Sequence, residues 1–381
     1  MKSATDLLLR SVPLLALLMV AGSSPLEAAE GSWGKAGYDK GFKFESADGN
    51  FTLKMSNRVQ VRFTHEDPEE GDSEGSFRLR RYKFKLSGMV WEHWKYKLQA
   101  SFAGQGDEEI EIDGTESIIL EQDDVLEDAW FQYTKNEWVQ PWMGQGKVFF
   151  GRQRLTSSGK LQFVDRAGLT DEAEVSRDIG VGLVGVGLEK KFEYNVGLYN
   201  GNGLNLTSND NDEYAYAARL VWTPFGEYEL EEGALDYPDE PKLALGGGMY
   251  QNTFTNDADE DLDVDVYGIE AAFKVNGFSA VAEYFDIESD LETEDGEIDS
   301  GYVQVGYLFP NKKFELAGRY AFSDPDDSTG SIEEVRTTGV AFSYYISKHD
   351  FKVQADIRDM EVREVDGEDE TEARVQIQFS F

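Results

Sequence analysis

The chain has 381 residues, a formal net charge of -38 at pH 7, 13% aromatic residues, 38 glycines and no cysteine. That length accommodates two ordinary domains or one large β barrel or sandwich. A sequence pI near 4.3 leaves little basic surface for a phosphate backbone and argues against nucleic acid as a partner. Without cysteine there is no disulfide, thiol nucleophile, iron–sulfur cluster or Cys-ligated zinc, so core packing or a closed hydrogen-bonded sheet must hold the fold.

The longest apolar run, "SVPLLALLMVAG", follows Lys2 and Arg10 and precedes the small residues of "SSPLEAA". A basic start, a core of about 10 apolar residues and a small-residue exit describe a secretory signal, expected over residues 1–29 with cleavage near Ala28 or Ala29. An uncleaved anchor helix is the other reading, disfavoured by the short run and by Pro13. Residues 30–50 form a short Gly-rich lead.

From Phe51 the chain alternates. In "FTLKMSNRVQVRFT", Phe51, Leu53, Met55, Val59, Val61 and Phe63 fall on one face, interrupted only by Asn57. Lys54, Arg58 and Arg62 fall on the other. A period of two means an extended strand. The same alternation recurs in "WKYKLQASF", "FELAGRYAF", "FKVQADIRD" and the terminal "ARVQIQFSF". About sixteen such strands are expected, starting near Phe51, Phe77, Trp94, Val125, Trp138, Arg177, Lys191, Tyr214, Lys242, Val264, Phe278, Gly301, Lys312, Val335, Phe351 and Thr371.

The connections alternate too. Short turns such as "EHW", "VNGF", "FPNKKF" and "SKHD" trade places with long acidic loops, among them "HEDPEEGDSEGS" (65–76), "EYELEEGALDYPDE" (227–240) and "IESDLETEDGEID" (287–299). No helical period of comparable length follows the signal. Short turns at one end, long loops at the other and an even strand number describe an all-β, antiparallel up-and-down transmembrane barrel over residues 51–381. Aromatics near strand ends, Trp91, Trp94, Trp138, Trp142, Tyr344 and Tyr345, suit an interfacial girdle. A soluble exported β protein would alternate in the same way. It would need opposing surface for every apolar face and would leave open sheet edges, which a barrel in lipid avoids.

Energy decides which face points inward. A Lys or Arg facing lipid near the midplane costs about 2–4 kcal/mol, so turning Lys54, Arg58 and Arg62 outward would cost about 6–12 kcal/mol. The basic face therefore points to the lumen. Lys95, Lys97, Arg319, Lys352, Arg358 and Arg374 follow by the same rule. Acid sits mainly in the loops, whose fields fade over about 8 Å at physiological salt, and the nearer basic wall should favour anions inside a narrow pore. Glu270, Glu283 and Asp356 offset part of that wall. A weakly selective general pore, or a receptor or adhesin acting through the acidic loops, are the alternatives.

Other motifs carry little. "GVGLVG" fits the dinucleotide pattern at Gly180, Gly182 and Gly185, but a hairpin follows it rather than a helix. The Asp series 257, 259, 261, 263 and 265 lacks the Gly and Glu of a calcium-binding EF-hand loop. His65, His93 and His349 are far apart in sequence, and no nucleophile is marked out for catalysis. No enzyme activity, cofactor or metal is expected.

The segment "WMGQGKVFFGRQRLTSSGKLQFVDRAGL", followed by "RDIGVGL", resembles the phosphate-selective porin O and P family. That family carries a G-Q-x-K-x-P-F-G, L-T-S-S, F-x-E-R-A and R-D-I-G-V series. "FRLRRYKFKLSGMVWEHWKYKLQASFAG" upstream, with "VGLYNGNG" and "AYAARLVWTPFGEYE" downstream, extends the likeness through most of residues 38–230. "KVFFG" lacks the family's usual proline after the Lys147-Val148 pair. The resemblance implies a 16-stranded, typically trimeric outer-membrane barrel that passes small anions such as phosphate. It also implies that residues of about 149–176 fold inward and narrow the barrel. Lys147, Arg152, Arg154, Lys160 and Arg166 are then the basic residues of the constriction. Arg58, Arg62, Arg78, Arg80, Arg81, Lys83 and Lys85 form a basic track along the first strands. The terminal Phe381 is of the form that the outer-membrane assembly machinery recognises. The solutes expected are small anionic or polar molecules.

Overall fold

The computed structural model describes residues 34–69, 72–103, 125–167, 176–206, 209, 211–255, 261–291, 294–325, 334–363 and 369–381. The expected signal segment, Asp257, Asp259 and residues 168–175 of the expected constriction loop lie outside them. A small hairpin comes first, β1 (Lys35–Tyr38) and β2 (Phe42–Glu45). Sixteen strands follow: β3 (Phe51–Pro68), β4 (Glu74–Val90), β5 (Trp94–Ser101), β6 (Leu126–Tyr133), β7 (Gln140–Lys147), β8 (Arg177–Gly187), β9 (Phe192–Tyr199) and β10 (Ala215–Trp222) form one half. The other half is β11 (Lys242–Thr255), β12 (Asp261–Val275), β13 (Phe278–Leu291), β14 (Glu294–Leu308), β15 (Phe314–Pro325), β16 (Glu334–Ser347), β17 (Phe351–Arg363) and β18 (Glu370–Ser380).

Each strand from β3 onward pairs antiparallel with the next, and β18 returns to β3 with Gln376 opposite Arg62 and Ser380 opposite Arg58. The sheet is closed, as a sheet that spans lipid requires. The seam is finished by two backbone bonds between Asn57 and Phe381, at 2.6 and 3.0 Å. Below it, Thr52–Met55 of β3 exchange β18 for β2.

The strand phase follows the alternation. Val305 on β14 is 45% exposed on the outer wall, whereas its neighbour Gln304 is wholly buried inside. On β3, Val61 is exposed outside while Gln60 and Arg62 are buried inside. Strand starts at Phe51, Trp94, Arg177, Lys242, Phe278 and Phe351 coincide with those read from the sequence. The largest displacement is at β14, which begins at Glu294 rather than Gly301 because its ladder with β13 continues to Leu291 opposite Glu294. Acidic residues read as loop are there ladder residues beyond the apolar band. Asn276 and Gly277, both at positive φ, make the two-residue β12–β13 turn that a right-handed hairpin twist prefers.

Three sequence expectations are corrected. Trp142 and Tyr345 are not girdle residues: both point inward and are buried, Trp142 against Phe149 and Tyr199, Tyr345 with its hydroxyl on Glu315. Trp91, Trp94 and Trp138 are exposed at the short-turn end as expected, joined by Trp222 and Phe225. The third concerns "EYELEEGALDYPDE". It joins β10 to β11 at the short-turn end, and much of it is buried in the barrel instead of lying outside among the long loops.

Candidate functional site in the barrel lumen

The segment 148–167 leaves β7 and runs inside the barrel. Its apolar start anchors it: Val148, Phe149 and Phe150 are buried among Tyr199, Tyr250, Val266, Phe285 and Ile287 of the inner wall. A buried aromatic of this kind contributes about 1.5–3 kcal/mol. Gly151, at φ +67°, turns the chain into a single helical turn, α1 (Arg152–Leu155). Lys147 donates to the carbonyls of Arg154, Leu155 and Thr156, holding that turn against β7.

Beyond α1 the segment crosses to the opposite wall. Arg58 donates to the hydroxyls of Ser157 and Ser158 at 2.9 and 3.0 Å. Lys352 and Gln354 donate to the carbonyl of Leu161, Gln378 to that of Gly159, and Arg319 to that of Asp165. Apolar contact accompanies the polar ones, since Phe163 is buried under the Arg319 guanidinium, 4.1 Å from its ring centre.

Asp165 is the electrostatic anchor. Its carboxylate lies 2.6 Å from Arg62, 3.0 Å from Arg81, 3.7 Å from Arg80 and 3.9 Å from Arg374. Burial pushes the Asp165 carboxyl up, but Arg81, Arg62 and Arg80 outweigh it and hold the group well below the usual carboxylate range.

Arg80 and Arg81 face the same way because a bulge interrupts the β3–β4 ladder: Gln60 opposes Arg81 and Val61 opposes Leu79, leaving Arg80 as the extra residue. A second bulge, between β5 and β6, sets Gln99 opposite Asp128 and Ala100 opposite Leu126, so that Glu127 is extra. Glu127 and Asp128 are both buried inside. Each bulge thus turns a charged doublet into the lumen. Lys83 pairs with Glu127, and Lys97 with Asp128 at 3.0 Å. Arg177, absent from the sequence expectation, bridges to both at 3.6 and 3.5 Å.

Between this wall and the inward segment lies a cavity of about 710 Å³, lined by thirteen Lys and Arg side chains against three carboxylates, Glu127, Asp165 and Glu372. Of the residues expected to line the pore, Arg58, Arg62, Arg78, Arg80, Lys83, Lys97, Arg358 and Arg374 border it, as do Lys147, Arg154 and Arg166 of the expected constriction. Arg358 and Arg374 pair with Glu372 at 2.5 and 2.9 Å, and Arg374 grips Asp356 through two bonds. Arg166 donates to the carbonyls of Gln153 and Thr156.

The other expected residues sit elsewhere. Arg319 and Lys352 face inward but are covered by the segment they hold. Lys54, Lys85 and Lys95 lie on the wall outside the cavity, Lys95 5.9 Å from the Trp130 ring centre. Arg152 and Lys160 face the other half of the lumen, pairing with Glu270 and with Glu229 and Glu231. Toward the long loops a smaller pocket of about 470 Å³ is lined by Glu66, Asp72, Glu74, Glu370 and Glu372, with Arg78 and Arg358 below. Acid thus gathers at the mouth and base within. The acidic doublet and the anchoring role of Asp165 were hidden in the sequence because both depend on partners far along the chain.

An uncharacterized protein of Aquifex aeolicus (strain VF5) is 24% identical over 367 residues, covering 86% of this chain and 87% of that one. Among solved structures, the anion-selective porin from Comamonas acidovorans superposes with a TM-score of 0.61 at 11% identity, covering 87% of this chain and 100% of that one. The outer membrane channel DcaP of Acinetobacter baumannii gives 0.62 at 14% identity, covering 89% and 99%. The trimer form of OmpT, an outer membrane protein of Vibrio cholerae, gives 0.56 at 12% identity, covering 86% and 99%. These likenesses are of fold. The sequence itself matches the phosphate-selective porin O and P signature over residues 53–381, and with a closed sixteen-stranded barrel around an inward segment, the chain belongs to that family of outer-membrane channels.

Proposed function

We propose that this channel passes small anions by diffusion, with phosphate and other oxyanions as the candidate solutes. The observation that carries the reading is the cavity lining, thirteen cationic side chains against three carboxylates. In a narrow, low-dielectric passage such a wall raises the local concentration of anions. Arginine dominates that lining, and its planar fork suits bidentate contact with an oxyanion. Wall carboxylates that would oppose the preference are occupied: Glu270 by Arg219, Asp356 by Arg374, Glu283 by the backbone of Arg152 and Gln153. The charge ratio, rather than any one contact, makes the lumen basic.

The functional unit in this reading is a homotrimer, supported by the trimer form of the OmpT structure of like fold. Phe381, joined to Asn57 at the seam, is the residue the assembly machinery would engage. The test is a planar-bilayer recording of chloride current with phosphate added stepwise. The reading expects concentration-dependent block as the oxyanion occupies the arginine-rich stretch. Chloride current unaffected by phosphate would leave an anion pore without oxyanion preference. A pore equally permeable to potassium and chloride would favour the weakly selective alternative, in which Glu127, Asp165 and Glu372 neutralise their partners.

A further inference from the structure

We infer that the constriction has a second half: residues 223–241, entering from the short-turn end, form a fixed floor that closes the β11–β16 side of the lumen and confines solute to the basic cavity. The inference rests on the reading of the protein as a diffusion channel and is independent of its ion preference.

The segment meets the inward loop at Glu232. Its backbone N–H donates to the carbonyl of Lys160 at 3.1 Å. One carboxylate oxygen accepts from Gln153 Nε2 at 2.7 Å, the other from the backbone N–H of Gln162 at 2.8 Å and from Gln304 Nε2 of β14 at 3.0 Å. A buried carboxylate with three such donors ties loop, floor and wall into one unit. On either side of Glu232 the floor is fastened to the wall. The Tyr228 ring lies between Arg152 of the loop and Lys274 of β12, at 4.6 and 4.9 Å from their cationic groups. Lys274 also pairs with Glu231 and Asp236 at 3.2 and 3.0 Å. Leu235 packs on Leu308 and Tyr345, and the carbonyl of Pro238 accepts from Asn276 in the β12–β13 turn.

Glycine is required at one point in this seat. Gly233 has φ +77°, and a Cβ there would sit 2.8 Å from a carboxylate oxygen of Glu315. The result is lopsided. Ala244, Ala272, Val281, Tyr302 and Ala321 on the inner wall of β11–β15 are buried, although they face what would otherwise be open lumen. A water-filled barrel has no reason to place an apolar patch there unless something covers it, and Tyr228 of the floor and Ala167 of the inward loop share that cluster.

The absence of native cysteine allows a direct test in the full-length channel. Ala272→Cys is a nearly isosteric reporter under the floor. In the parent channel, the A272C thiol should resist a charged, membrane-impermeant thiol reagent. Replacing residues 227–236 by a short Gly-Ser linker should accelerate labelling at least tenfold and raise single-channel conductance about twofold or more. Unchanged labelling and conductance in a barrel that retains heat-modifiable gel mobility would overturn the inference. Should the linker variant not fold, the double change Tyr228→Ala with Glu232→Ala keeps the backbone and decides in its place. Faster A272C labelling supports the floor, and labelling as slow as in the parent refutes it. Ion selectivity is read separately from the parent's reversal potential, so a failure of the anion reading and a failure of the floor are distinguishable.

Discussion

Asp165 on the inward loop lies 2.6 Å from Arg62 on β3, and three further arginines stand within 3.9 Å of the same carboxylate. The loop supplies its own anion to the most basic part of the wall. That single contact couples loop position to lumen charge. Asp165→Asn should therefore have two effects. Leaving the guanidiniums uncompensated should cost about 3–5 kcal/mol of loop docking, seen as a lower midpoint for heat-induced loss of the folded gel band. It should also strengthen phosphate block, because the arginines become available to a solute. Weaker block would mean that Asp165 builds the site rather than occupying it.

The same group predicts the response to mild acid. A carboxyl held below its ordinary value contributes stability that is fully present above the unfolded pKa of about 3.9 and is lost only as pH falls through the lower folded value. The Asp165 anchor should thus persist from pH 7 to pH 5, and conductance should stay flat across that range. A stepwise opening between pH 6 and pH 5 would show that some other group controls the loop.

Arg58 donates to two serine hydroxyls of the loop, packs against Gly159 and borders the cavity without a carboxylate within 4 Å among the described ion pairs. Arg58→Glu should shift the reversal potential toward cations while leaving the barrel folded. If the reversal potential does not move, the side chain lies off the permeation path.

The strand phase makes a stability prediction. Val305→Arg places a cation on the lipid face of β14, three residues from its short-turn end, and should cost up to about 2–4 kcal/mol, whereas Gln304→Arg on the adjacent inward position should cost a different kind of penalty, a clash with the Glu232 network. Refolding into bilayers of increasing denaturant concentration measures the first, and the thiol-labelling rate under the floor reports the second. Equal tolerance of Arg at position 305 and in solvent-exposed turns would contradict the assigned face.

Much of this was legible in the sequence because alternation is a local signal. Val61 and Arg62 reveal their faces to anyone counting by two. The doublets Arg80-Arg81 and Glu127-Asp128 break the count, and each break is where a bulge lies. The floor was not legible. "EYELEEGALDYPDE" has the charge, glycine and proline of a solvated loop, and Glu232 is buried, with Glu231 half-buried beside it, only because Gln153 and Gln162 of the inward loop, Lys274 of β12 and Gln304 of β14 converge on them. Trp142 misled for a related reason: an aromatic near a strand end fits a girdle and an inner core equally well until its phase is fixed.

The central claim is that a protein of net charge -38 encloses a lumen that prefers anions. The most direct measurement is the zero-current potential across a planar bilayer holding the purified channel under a tenfold potassium chloride gradient. The sign expected is that of chloride permeating faster than potassium, growing as total salt is lowered and screening weakens. A potential of the opposite sign, or none at low salt, would contradict it.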